Sequence, residues 1–390
     1  MDELTQSLEA FGPWDWACVG ANLTVAALGL FGLRCWRGMP GVLPPLPVSA
    51  SNAALGVVTG VMSFGLIFGL VLAAAAQAFS SHFGLAQAHV FTAAFIGQSA
   101  AAVTMLAMGA LVPETLRWAP DVASEEPSAS PLRRALRGFS FSRLLLVMLI
   151  LFALGLALAA IWKGVHVGWT QLFQQGLVGE PPADEPQDIV DSVLKTDADS
   201  WRFGTIILAV SIGAPVMEEL AFRGMLYPGL RRILSDCSLR ARSILWLTIL
   251  LPITFWVTSI FNLEVFAIQP LDLEALRPTE GSSKKIEEIL VLLKLLAKIT
   301  LHILVTSPAA LVLGKLASER HARWIAVCLT GAIFSAAHQS PSAALPLFGF
   351  GAFMCLVRDR YGLLTCMAAH ACFNGWNLLW LKLAPAASTL

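Results

Sequence analysis

The chain reads as an all-α protein, a polytopic transmembrane helical bundle of about ten spans, and three observations carry that reading. Charged residues make up 13% of its 390 positions and hydrophobic ones 56%, whereas soluble globular chains hold about 25% charged residues. Apolar runs long enough to cross a bilayer, at ~20 residues each, recur along the whole length. Basic residues fall on alternate connections between those runs, the pattern that cytoplasmic loops impose. The mean hydropathy of +0.70 agrees.

The runs lie near residues 16–34, 53–78, 88–112, 144–165, 203–227, 244–262, 289–314, 322–340, 342–357 and 361–381, the ninth being short for a span. Arg34 and Arg37 follow the first run, and Arg117, Arg133, Arg134, Arg137 and Arg143 the third. Arg231, Arg232, Arg240 and Arg242 follow the fifth, Lys315, Arg320 and Arg323 the seventh, and Arg358 and Arg360 the ninth. Those 16 of the 26 basic residues mark one side as cytoplasmic. The acidic segment Asp2, Glu3, Glu9 and Asp15 and the acidic stretch Glu180 to Asp199 mark the other. Both termini are therefore expected outside, in a multi-pass protein of the cell (inner) membrane. A signal peptide opens with a basic region, and the acidic start of this chain does not fit one.

Three linkers interrupt the apolar pattern. Pro113 to Arg137 is rich in Pro, Ser and Arg and reads as a cytoplasmic loop. Val165 to Arg202 is polar, with a short amphipathic helix expected at Ile189 to Leu194. Asn262 to Glu288 is a polar insertion leading into Ile289 to Thr300, where Lys294 and Lys298 share a face and suit an interfacial helix with snorkelling lysines. No internal repeat is evident. The composition shift divides the chain into a region of about four helices over 1–199 and a second domain over 200–382.

Composition also narrows the function. Net charge is zero and no basic patch interleaves with aromatics, so no nucleic-acid partner is expected. The 7 cysteines form no CxxC pair and read as small buried hydrophobes.

What composition does not explain is Met217-Glu218-Glu219-Leu220-Ala221-Phe222-Arg223, two acids and an arginine inside an apolar run. One ionisable group at membrane depth costs on the order of 2.5–3.5 kcal/mol even on lenient insertion scales. At about 100° per residue, Glu219 and Arg223 share a face and can pair, whereas Glu218 points about 140° away from Arg223. Glu218 is left for another partner. A purely structural charge cluster that locks helices together is the competing reading.

Two further oddities follow. The eighth run ends Phe334-Ser335-Ala336-Ala337-His338, and the last contains His370-Ala371-Cys372-Phe373-Asn374, with His370 and Asn374 one turn apart. Polar groups in hydrocarbon need partners, and a single cavity in the C-terminal half would provide them for all three segments. A carboxylate beside a histidine is a general-base arrangement, and a second histidine with an amide offers donors to a developing oxyanion. Hydrolysis of an acyl bond within the bilayer fits, with no Ser or Cys nucleophile required. Zinc held by His338, His370 and Glu218 is the rival chemistry, although no HExxH occurs.

These motifs, EExxxR from Glu218 to Arg223, FxxxH from Phe334 to His338 and HxxxN from His370 to Asn374, resemble those of the CPBP family. That family includes CAAX prenyl endopeptidases and bacteriocin-processing or immunity proteins, and the resemblance covers roughly 200–382. It implies an intramembrane glutamate endopeptidase with no metal or other cofactor, acting on a membrane-associated peptide or a lipidated protein tail. By that resemblance Glu218 and His338 activate water, and His370 and Asn374 stabilise the oxyanion. Glu219, Arg223 and Phe334 support them.

The span assignments put Glu218 toward the cytoplasmic half and His338 toward the outer half. One helix must then be shifted, tilted or broken, and Pro341 and Pro346 make a break after His338 the natural expectation. A non-proteolytic scaffold or regulator that keeps the cavity is the alternative from another class. A proton-coupled transporter is a third, disfavoured by the missing repeat.

Overall fold

The computed structural model describes residues 49–83, 90–116, 139–175, 201–236, 306–312, 319–338 and 343–383, with isolated positions elsewhere. Its helices are α1 (Ala50–Met62), α2 (Phe68–Phe83), α3 (Val90–Leu111), α4 (Phe141–Gln174), α5 (Trp201–Ile207), α6 (Ala214–Glu219), α7 (Tyr227–Asp236), α8 (Glu319–Ala337), α9 (Ala344–Tyr361) and α10 (Leu363–Leu383). A π-helical turn at Ser63–Ile67 joins α1 to α2. Two more, Leu208–Gly213 and Leu220–Leu226, join α5, α6 and α7 into one rod from Trp201 to Ser235. Among the described residues there is no strand, and the helices satisfy their backbone polar groups internally, as hydrocarbon requires.

Among the described residues, four helical stretches are long and apolar enough to cross a membrane: Ser51–Ser81, Val90–Leu111, Phe141–Gln174 and Trp201–Ser235. The expected runs 322–340, 342–357 and 361–381 correspond to α8, α9 and α10. The runs at 16–34, 244–262 and 289–314 lie mostly outside the described residues, as do the expected helices at Ile189 to Leu194 and Ile289 to Thr300 and the insertion from Asn262 to Glu288. Large apolar side chains such as Leu70, Val103 and Ile161 point outward, the orientation that lipid rather than water favours. Of the described cysteines, Cys355 and Cys366 are buried as expected, whereas Cys328 and Cys372 are exposed.

The described parts of residues 1–162, 184–233 and 323–390 form one compact unit, and those of 163–183 and 234–322 a second. The first unit carries the unusual polar residues, and it joins helices from both sides of residue 200. Within it, α2 packs against α3, α1 against the turn Leu220–Leu226, and α10 against the turn Leu208–Gly213. Helices α8 and α9 cross at Gly331 and Gly351, where a Cβ on Gly351 would stand 2.9 Å from the Gly331 Cα. Small residues of this kind let membrane helices approach backbone to backbone. Gly362, at φ 83, ends α9 and turns the chain directly into α10, a conformation that glycine adopts without penalty.

The basic residues correct the sequence reading at three positions. Arg231, Arg323 and Arg358 lie in helices rather than loops and are buried. They surround Asp359, which is 0% exposed. The Asp359 carboxylate accepts from Tyr227 Oη at 2.8 Å, Arg323 Nε at 2.9 Å and Arg358 Nη1 at 3.2 Å, with Arg231 Nη1 at 3.8 Å. Counting loop charge could not anticipate this, because an acid on α9 supplies the counter-charge that lets arginines of three helices stay inside.

Candidate active site

The rod from Trp201 to Ser235 delivers both acids of the Glu-Glu pair to the interior. Glu218 is 7% exposed and Glu219 0%. They close the α-helical stretch α6, and Arg223 sits in the π turn that follows. Glu219 Oε1 accepts from Arg223 Nη1 at 3.0 Å, the i,i+4 pair that helix geometry anticipates. The same oxygen lies 2.8 Å from His370 Nδ1 of α10. Arg223 donates its Nη2 to the Gly351 carbonyl at 3.1 Å, tying the rod to α9. One buried carboxylate thus holds an arginine and a histidine from two helices.

Glu218 is placed differently. Its Oε2 is 3.9 Å from His338 Nε2 and 3.8 Å from His370 Nε2, and among the described residues it has no hydrogen-bond partner. These separations exceed a direct hydrogen bond and suit groups bridged by one water or substrate atom.

Helix α8 stops at Ala337, and His338 occupies the turn immediately after it, ahead of α9. The break foreseen near Pro341 therefore begins at the histidine itself. His338 Nδ1 lies 2.8 Å from the Phe334 carbonyl. A carbonyl can only accept, so Nδ1 carries a proton, and Nε2 faces Glu218. Asn374 donates one amide hydrogen to the Val210 carbonyl at 2.9 Å. That carbonyl belongs to the π turn Leu208–Gly213, where wider winding loosens the intrahelical hydrogen bonds. The second amide hydrogen of Asn374 is left for other work.

Phe334 is the packing centre. Its ring lies 4.5 Å from the His338 ring, 6.2 Å from His370, 5.3 Å from Phe222 and 5.6 Å from Phe350. The Arg223 guanidinium sits over it at 4.5 Å, a cation–π contact of ordinary geometry. All seven residues singled out in the sequence therefore meet in one region. Sequence reasoning missed Phe350, whose ring is 4.7 Å from His370, and the Gly351 and Val210 carbonyls, since backbone acceptors leave no residue-type signal.

A cavity of about 460 Å³ opens beside Glu218, His338, His370 and Asn374. Its other walls are mostly apolar: Phe91 and Ala94 of α3, Leu151 and Leu154 of α4, and Leu378 and Leu381 of α10 among them. Among the described residues no group of three His, Cys, Asp or Glu side chains is arranged to hold a metal ion.

The family model described as Type II CAAX prenyl endopeptidase Rce1-like matches residues 200–271 and 309–376. Over these residues the C-terminal region is similar to the CAAX protease family. The matched segments carry Glu218, Glu219, Arg223, Phe334, His338, His370 and Asn374. No curated protein and no solved structure matches the chain. The apolar helices and this similarity together support an integral membrane protein.

Proposed function

We propose that the protein is an intramembrane glutamate endopeptidase that cleaves membrane-associated or lipidated, CAAX-like peptides without a metal. The observation that carries this reading is the Glu218 carboxylate, 3.9 Å from His338 Nε2 and 3.8 Å from His370 Nε2 on the wall of one cavity. A water held between Glu218 Oε2 and His338 Nε2 attacks the substrate carbonyl carbon and gives its proton to Glu218 as the C–O bond forms. The carbonyl electron pair moves to oxygen. That oxyanion accepts from Nε2–H of protonated His370 and from the second amide hydrogen of Asn374. Collapse breaks the C–N bond, Glu218 passes its proton to the leaving nitrogen, and an amine and a carboxylic acid depart.

Hydrogen bonding supports these roles. Glu219 accepts at both Arg223 and His370 and is engaged in orienting them, which leaves Glu218 as the base. The basic loops would face the cytoplasm, both termini the outside, and the protein would reside in the cell (inner) membrane.

The test reconstitutes the purified protein with a quenched peptide ending in a farnesylated Cys-Val-Ile-Met and with the same peptide unprenylated. Cleavage by wild type, loss of it in Glu218→Gln and indifference to excess 1,10-phenanthroline are expected. Chelator-sensitive cleavage would move the chemistry to zinc. Peptide binding without cleavage would favour the scaffold.

A further inference from the structure

Gln98 is a polar group for which the mechanism above has no use. It lies on α3, outside the residues matched by the family model. It is 7% exposed and lines the cavity that holds Glu218, His338, His370 and Asn374. Its Oε1 is buried and has no hydrogen-bond partner among the described residues. Leaving a buried polar group unpaired costs on the order of 1–3 kcal/mol. A leucine would fill this place in a membrane helix with no such penalty, so the amide calls for a polar partner, and the cavity that Gln98 lines is where one can enter.

The surroundings are shaped to the amide. A Cβ on Gly213 would stand 2.1 Å from Gln98 Oε1 and 2.9 Å from Phe95 Cδ2. Only a residue without a side chain lets Gln98 lie against the rod that carries Glu218. Gly213 precedes Glu218 by five residues, or about 7.5 Å along the helix axis. An extended peptide advances about 3.3–3.6 Å per residue. A chain with its carbonyl beside Glu218 therefore reaches the level of Gln98 about two residues from the bond under attack.

We propose that the Gln98 side-chain amide hydrogen-bonds the main chain of the peptide substrate about two residues from the scissile bond. A carboxamide offers one acceptor and two donors, the complement of a peptide group. The segment N-terminal to the family region thereby supplies a substrate-positioning contact that reads backbone rather than side chain. This assignment rests on the peptidase reading of the Glu218 site.

The experiment uses the full-length protein and the quenched farnesylated peptide, together with analogues in which one amide at a time is replaced by an ester. The replaced amides lie up to three residues on either side of the cleaved bond. Wild type should lose about 3–10-fold in kcat/KM for one such analogue, the size of one hydrogen bond. Gln98→Leu should be about 3–10-fold slower on the parent peptide, chiefly through KM, and indifferent to that same ester. Equal ester penalties in wild type and Gln98→Leu at every position would overturn the proposal while leaving the peptidase reading intact. If wild type cleaves none of the peptides, the peptidase reading falls and this one with it. Gln98→Asn, which keeps the amide but shortens its reach, gives the same comparison should Gln98→Leu fail to fold.

Discussion

Adjacent glutamates with the same side chain should respond in opposite ways to loss of charge. Glu219→Gln removes a fully buried anion that accepts from Arg223 at 3.0 Å and lies 2.8 Å from His370 Nδ1. Taking one partner from a buried ion pair costs about 3–5 kcal/mol. The remaining amide oxygen can still accept from one of the two, which sets the expected loss near the lower end, about 3 kcal/mol. Glu218→Gln breaks no hydrogen bond, since its nearest ionisable neighbours stand 3.8 and 3.9 Å away. Its stability should change by less than about 1 kcal/mol, within the worth of a single hydrogen bond. Its kcat should nevertheless fall by at least about 100-fold, the lower range for a lost general base. The assay pairs reversible unfolding in mixed micelles, followed by tryptophan fluorescence, with initial rates on the quenched peptide. The reasoning is refuted if Glu218→Gln is destabilised as strongly as Glu219→Gln, or if Glu219→Gln is as stable as wild type.

Three further outcomes are expected in the same assays. Asp359→Ala should cost about 3–5 kcal/mol, because it withdraws the carboxylate from Tyr227, Arg323 and Arg358; unchanged unfolding would show that the cluster holds without it. Phe334→Ala should also cost about 3–5 kcal/mol and depress kcat as well, since both histidine rings rest on that phenyl ring. Phe334→Leu should recover most of the stability and less of the rate, and equal recovery of both would argue against ring-on-ring positioning. Gly351→Val should destabilise by about 1–3 kcal/mol, because its Cβ would lie 2.9 Å from Gly331 Cα and 3.1 Å from Phe334 Cβ; a neutral effect would mean that α8 and α9 separate freely.

The parts of the fold legible in the sequence are those set by periodicity and by the cost of charge in hydrocarbon. Seven of the expected apolar runs coincide with described helices, and the Glu219–Arg223 pair follows from helix geometry alone. The convergence of Glu218, His338 and His370 was legible because polar groups from separate membrane helices have few other places to go. Three things were not. The Asp359 cluster was hidden because charge near a helix end looks the same in sequence whether it meets water or an acid. The π turns leave no composition signature, being one-residue shifts in hydrogen bonding. Gln98 was invisible for a third reason: one amide in a helix of alanines carries no motif, and its meaning comes from Gly213, 115 residues away in the chain.

The π turns also explain how a single rod can hold the acid pair and still meet two other helices at fixed points. A wider turn gives the rod carbonyls that are less taken up by its own hydrogen bonds. In the turn Leu208–Gly213 the Val210 carbonyl accepts from Asn374 of α10. In the turn Leu220–Leu226 the smaller rotation per residue brings Arg223 more nearly above Glu219, so that the guanidinium reaches both that carboxylate and the Gly351 carbonyl of α9. The short α-helical stretch between the turns presents Glu218 to the cavity while Glu219 stays pinned. Such turns recur at functional sites, and here each gives the rod one cross-link on either side of Glu218. Removing either cross-link should therefore disturb the position of the carboxylate without touching it.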